Sequence, residues 1–93
     1  MNKYEILYII NASLDDSAKD AIIEKFSNLV TDNGGEVESV DKWGVKKFAY
    51  EMEFKSEGYY VLMNFTAEAS LPAEMERQMR ISDDVIRYLV IRK

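Results

Sequence analysis

Residues 47–66 read KFAYEMEFKSEGYYVLMNFT, and this stretch decides the fold. Phe48, Tyr50, Met52 and Phe54 alternate with Lys47, Ala49, Glu51 and Glu53, a period of two that predicts a strand with one buried face. Lys55-Ser56-Glu57-Gly58 reads as a hairpin connection, with glycine near its end. A second alternation follows, in which Tyr59, Val61, Met63 and Phe65 face inward against Tyr60, Leu62, Asn64 and Thr66. The first strand extends upstream to Glu36. There Val37, Val40 and Trp43 do not keep one parity, which predicts a bulge near Trp43-Gly44.

Working outward, Lys3 to Ile10 is another strand, with Tyr4, Ile6, Tyr8 and Ile10 turned towards the core. Ser13, three residues before Asp16, suits a helix cap. From Leu14 the period lengthens: Leu14, Ala18, Ala21, Ile22, Phe26, Leu29 and Val30 form one apolar stripe, and Asn33-Gly34-Gly35 ends it. Ser70-Leu71-Pro72 opens a second helix, whose thin stripe is Leu71, Met75 and Met79. Val85 to Ile91 is a final strand, with Ile86, Tyr88 and Val90 on one face and Val85, Arg87, Leu89 and Ile91 on the other.

Strand, helix, strand, strand, helix, strand is the order of a ferredoxin-like split βαβ domain. The expected class is α+β: a four-stranded antiparallel sheet, two helices on one face, and a single domain over residues 1–93. The first and third strands should be central. Because both helices cover one face, the other is left bare, carrying Leu7, Ile9, Tyr60, Leu62, Leu89 and Ile91 with Lys3, Glu5, Asn64 and Arg87 among them. An apolar patch of that size marks an interaction surface, unless loops or a second copy cover it.

Composition restricts the chemistry. The chain has no Cys and no His, which removes thiolate nucleophiles, imidazole bases, zinc fingers and iron–sulfur ligation. No calcium-loop pattern is present, and Asp15-Asp16 and Asp83-Asp84 read as acids that start structural elements. There is no apolar run of membrane-spanning length and no basic leader with a cleavage site, so a cytoplasmic protein is expected. The formal charge is −5, awkward for phosphate binding, but its distribution is uneven. Acids crowd residues 15–36, whereas Lys3, Lys42, Lys46, Lys47, Arg87, Arg92 and Lys93 lie elsewhere. Lys46-Lys47 beside Trp43, Phe48 and Tyr50 can hold phosphates and stack bases; it can equally protect a strand edge from pairing.

Gly44, Val45, Lys46, Lys47, Phe48, Ala49, Tyr50, Glu51 and Met52 resemble the central motif of bacterial small-subunit ribosomal protein six: glycine, a variable residue, a basic pair, leucine, a small residue, tyrosine and, two further on, isoleucine. The resemblance continues through Tyr4-Glu5, Gly58-Tyr59, Arg80-Ile81, Asp83, Val85, Arg87, Val90 and Arg92. Phe48 and Met52 depart from the usual leucine and isoleucine, and lysines stand where arginines are frequent, losing the bidentate fork. The polar tail that many members carry has no counterpart after Lys93, so its contacts are not expected.

The resemblance implies a structural protein of the ribosome, without cofactor or catalysis. It implies binding to the central domain of small-subunit ribosomal RNA together with small-subunit ribosomal protein eighteen. RNA contacts are then expected from Lys3, Tyr4, Trp43, Lys46, Lys47, Arg87, Arg92 and Lys93, and partner-protein contacts from Leu7, Tyr60, Leu62 and Leu89. The residues themselves leave two rivals open: a homodimeric ligand-binding module and a small enzyme on the same fold. The lack of His weakens an oxygenase, and no Gly-rich anion loop follows the first strand to support a hydrolase.

Overall fold

A computed structural model describes the backbone of residues 1–52 and 55–93 and the side chains of residues 1–47 and 57–93. The elements are β1 (Asn2–Asn11), α1 (Asp16–Asp32), β2 (Glu36–Met52), β3 (Lys55–Ala67), α2 (Leu71–Ile81) and β4 (Val85–Arg92). The strands form one sheet in the order β2-β3-β1-β4, and every neighbouring pair is antiparallel. This is the expected ferredoxin-like arrangement, with β1 and β3 central. Among the described residues, no helix is long and apolar enough to cross a membrane.

The core lies between the sheet and the two helices. Tyr4, Ile6, Tyr8 and Ile10 of β1 and Val61, Met63 and Phe65 of β3 are buried there. Ile23, Phe26 and Val30 of α1 and Leu71, Met75 and Met79 of α2 close over them. Each such side chain contributes about 1.5–3 kcal/mol by leaving water. The period-two reading of β1 and β3 therefore holds, as does the thin stripe of α2. Tyr8 meets Phe26 edge-on at 5.5 Å, and its hydroxyl is buried without a hydrogen-bond partner among the described residues. Burial pushes the Tyr8 phenol well above its usual range, with Tyr59 adding to the effect.

Four local expectations are corrected. The α1 cap is Asp15, whose carboxylate accepts from the Ala18 N–H at 2.8 Å; the Ser13 hydroxyl instead donates to Asn11 Oδ1. Two consecutive acids and a serine all suit a cap, and only the entry angle of the chain chooses between them. In the stripe of α1, Phe26 and Val30 are buried and Leu14, Ile22 and Leu29 pack against the core as expected, but Ala21 is exposed and Lys19 and Ile23 join the buried set. Lys19 enters the stripe because its ammonium rests over the Tyr59 ring, 4.9 Å from the centroid, while its stem packs inward. Lys55–Gly58 belongs to β3, since Met52 pairs with Lys55 and Lys46 with Gly58. The buried face expected from Phe48, Tyr50, Met52 and Phe54 lies outside the described side chains. Finally, Val85 packs against the core: a register shift between Ile9 and Ile10 sets Ile10 opposite Val85 and makes Ile86 the extra residue.

The bulge expected near Trp43-Gly44 is present. Register shifts between Lys42 and Gly44, and Gly44 has φ 85°, a left-handed conformation that glycine adopts without a Cβ penalty. A second shift, between Val37 and Ser39, accounts for the change of parity between Val37 and Val40, which both pack against the core.

Candidate functional site

The sheet face away from the helices is organised in rows that cross the strands. The middle row is Asp41, Leu62, Leu7 and Leu89, because Leu62 pairs with both Asp41 and Leu7, and Leu7 also pairs with Leu89. Leu89 is 57% exposed, a large value for a leucine with no helix to cover it. Towards one end of the sheet follows the row Gly44, Tyr60, Ile9 and Arg87. Towards the other come Ser39, Asn64, Glu5 and Ile91, and then Glu36, Thr66 and Lys3. The expected partner residues Leu7, Tyr60, Leu62 and Leu89 thus occupy two adjacent rows.

Trp43, the extra residue of the bulge, is on this face too. Its ring lies within 8° of parallel to Tyr60, with centroids 6.3 Å apart. Stacked planes touch at a smaller separation, so the two rings are offset, and Trp43 is 46% exposed. Lys46 places its ammonium 5.7 Å from the centre of the Trp43 ring. Ile9 is buried although it is on the uncovered face, between Tyr60 and Arg87 in its row. With Leu7, Arg87, Tyr88 and Leu89 it lines a shallow depression.

The basic residues form two groups rather than one rim. Lys3, Arg92 and Lys93 lie at the end where β1 begins and β4 finishes: the Lys93 N–H donates to the Lys3 carbonyl at 2.9 Å. Lys93 Nζ lies 3.2 Å from the Glu5 carboxylate, and Arg92 donates to Asn2 Oδ1 at 3.0 Å. Arg87 and Lys46 are at the opposite end, on opposite edges of the sheet. Lys46 and Lys47 are separated by the pleat: Lys46 pairs with Gly58, which shares the parity of Tyr60, while Lys47 pairs with Glu57 on the other. Lys42 is bound to Asp20 on α1 at 3.2 Å. The ring of Tyr4 is in the core, stacked on Phe65 at 5.5 Å, and its hydroxyl accepts from Asn2 Nδ2 at 3.4 Å.

Two residues expected on this face, but given no contact by the sequence, have particular places on it. Asn64 donates to Ser39 Oγ at 3.2 Å while its Oδ1 is buried without a partner among the described residues. Ile9 lines the depression. Among the described residues, no group of three or more acidic side chains is arranged to hold a metal ion.

Comparison with known proteins agrees with this geometry. The family profile described as Ribosomal protein S6 matches residues 3–92. A curated relative from Clostridium acetobutylicum, small ribosomal subunit protein bS6, is 53% identical over 91 residues, covering 98% of this chain and 96% of the relative. A relative of the same name from Carboxydothermus hydrogenoformans is 46% identical over 93 residues, covering 100% of this chain and 97% of the relative. The crystal structure of 30S ribosomal protein S6 from Thermotoga maritima superposes with a TM-score of 0.93 at 25% identity, covering 99% of this chain and 87% of that one.

Proposed function

The chain belongs to the ribosomal protein S6 family, and from that premise we propose that it binds the central domain of small-subunit ribosomal RNA jointly with ribosomal protein eighteen. It is a protein of the small ribosomal subunit and not an enzyme. Its work is to hold RNA and protein in one assembled shape within the cytoplasmic ribosome.

The observation that carries the proposal is the leucine row Leu62, Leu7 and Leu89, open on the side away from the helices and flanked at both ends of the sheet by cations. Tyr60 extends the apolar row towards Trp43. In this reading the partner protein covers Leu7, Tyr60, Leu62 and Leu89. Lys3, Arg92 and Lys93 at one end and Lys46, Lys47, Arg87 and Trp43 at the other face RNA, with only the Tyr4 hydroxyl available from that side chain. A chain of net charge −5 is a weak RNA binder alone, so sharing the site with a basic partner is a physical requirement for tight binding.

The test is a filter-binding titration of a central-domain RNA fragment with this protein, with ribosomal protein eighteen, and with both. Tight, salt-sensitive binding that needs both proteins is expected. Equal binding by this chain alone, or none with the partner added, would overturn the proposal. Replacing Lys46 and Lys47 together by Glu should weaken the joint complex.

A further inference from the structure

Resting on the RNA-binding reading above, we infer that the exposed ring of Trp43, braced by Tyr60, is a seat for one unpaired nucleobase, with Lys46 beside it for the adjoining phosphate. The RNA then does not stop at the charged ends of the sheet but reaches onto the uncovered face itself.

Three observations carry this. Trp43 is 46% exposed although it is the largest side chain of the face, and its offset on Tyr60 leaves a flat aromatic surface open. Every base has such a face, and stacking on indole or phenol needs no particular sequence. Apart from its chain neighbours, no atom of the described residues lies within 4 Å of the position a Cβ would take at Gly44, so no other element crowds the bulge that carries Trp43. Lys46 brings a positive charge to the same ring, where a nucleotide lying on Trp43 would place a phosphate.

Lys46 now occupies part of the ring through a cation–π contact. At an exposed position that contact is weaker than stacking of a base, so an incoming nucleotide displaces the ammonium, which then turns to the phosphate. A base inside a duplex has both faces taken by its neighbours and cannot lie on the pair. The ligand is therefore a single-stranded or bulged nucleotide. Arg87 is three strands away in the Tyr60 row, about 14 Å by inter-strand spacing, so a strand crossing along that row meets a cation at each edge. A side chain of a protein partner is the competing occupant. It is disfavoured because the leucine row, one row away, already offers such a partner an apolar seat, whereas Lys46 lies at the Trp43 ring.

Trp43 is the only tryptophan of the chain, so its emission reports this position alone. The isolated protein is titrated with a single-stranded hexa-adenylate at low salt and with a blunt-ended, fully paired RNA duplex. Saturable quenching by the single strand, absent with the duplex, is expected. Anisotropy of a labelled oligonucleotide should show about tenfold weaker binding for Trp43→Leu, the loss of one stacked base. Lys46→Met should weaken it severalfold, while circular dichroism confirms that both variants fold. No quenching, or equal quenching by the duplex, overturns the inference. So does Trp43 emission that ignores the oligonucleotide but moves when ribosomal protein eighteen alone is added. Wild-type binding of the central-domain fragment by the two proteins, measured alongside, tests the earlier proposal separately: it can persist in Trp43→Leu while the base seat is disproved.

Discussion

The Trp43 ring lies parallel to Tyr60 across the β2–β3 boundary, 6.3 Å between centroids, at the point where β2 bulges. Trp43 is the extra residue there, between Lys42, which pairs with Val61, and Gly44, which pairs with Tyr60, and it keeps the parity of Asp41 on the uncovered face. Cross-strand aromatic pairs of this kind contribute about 0.5–1.5 kcal/mol beyond their buried area. Trp43→Ala should therefore lower the free energy of unfolding by about 1 kcal/mol. Urea denaturation followed by circular dichroism measures it; an unchanged midpoint would mean that the rings do not hold each other.

The leucine row is expected to matter for assembly more than for folding. Leu89 is on an edge strand and more than half exposed, so Leu89→Asp should cost about 1 kcal/mol or less in stability. Isothermal titration with ribosomal protein eighteen should nevertheless weaken by about tenfold or more, since a carboxylate would be buried against Leu7 without a partner. Ile81→Asp is the control. Ile81 is 64% exposed at the end of α2, on the layer away from the row, and its replacement should leave the titration unchanged.

The alternation of Tyr59–Thr66 and of Tyr4–Ile10 was enough to place the core, because a strand's side chains have a strict period of two. The sheet order followed from the element order. What the sequence concealed were the places where that period breaks. Val85 looked outward by parity, yet the bulge at Ile9/Ile10 turns it to the core. Lys46 and Lys47 looked like one basic unit, yet adjacent strand residues point to opposite faces. Lys19 carries a charge into the buried stripe of α1, where Tyr59 supplies a ring for it. For Val85 and Lys19 the deciding contact comes from a distant element. The candidate site was legible as a set of rows and not as a charge distribution: the cations proved to sit at two ends of the sheet.

Gly35 and Gly44 should respond to substitution for different reasons. A Cβ at Gly35 would lie 2.6 Å from the Thr66 carbonyl oxygen and 2.8 Å from Val30 Cγ1, so the exit from α1 would have to move off β3. Gly35→Ala should destabilise by about 1–3 kcal/mol. Gly44 meets no neighbour, and its cost is the left-handed backbone, about 1–2 kcal/mol for alanine. Asparagine tolerates that conformation better, so Gly44→Asn should be milder than Gly44→Ala, whereas Gly35→Asn should be no better than Gly35→Ala. Thermal melts of the four variants would show the contrast, and a rescue at Gly35 would contradict the steric account.

Glu74 gives a pH signature on the helical layer. Hydrogen bonds from Arg77, at 2.6 and 3.0 Å, and then from Gln78, bring its carboxyl from an ordinary 4.5 down to about 2. A depressed carboxyl pKa favours the folded state above the unfolded value. That contribution is complete above about pH 4.5 and disappears as pH falls through about 2. The Glu74 side-chain carbon resonance should titrate near the lower value, and Arg77→Met should return it towards 4.5. A midpoint already near 4.5 in the unaltered protein would show that solvent screens the pair.

The separation of Lys46 from Lys47 yields the sharpest test of where RNA runs. A lysine that neutralises one phosphate contributes about 0.7–0.9 to the slope of log affinity against log salt, whatever the sequence bound. Lys46 shares its face with Tyr60 and Trp43; Lys47 has the parity of Tyr59, towards the helical side of β2. If the RNA lies on the uncovered face, Lys46→Gln should reduce the slope of the two-protein complex by about one and Lys47→Gln by much less. Equal reductions would require the RNA to wrap the edge of β2 and touch both faces. A larger effect of Lys47 would move the RNA to the helical side, where Asp20 already binds Lys42 and the acids of α1 would repel it. Neither outcome is compatible with a nucleotide held between Lys46 and the open aromatic pair.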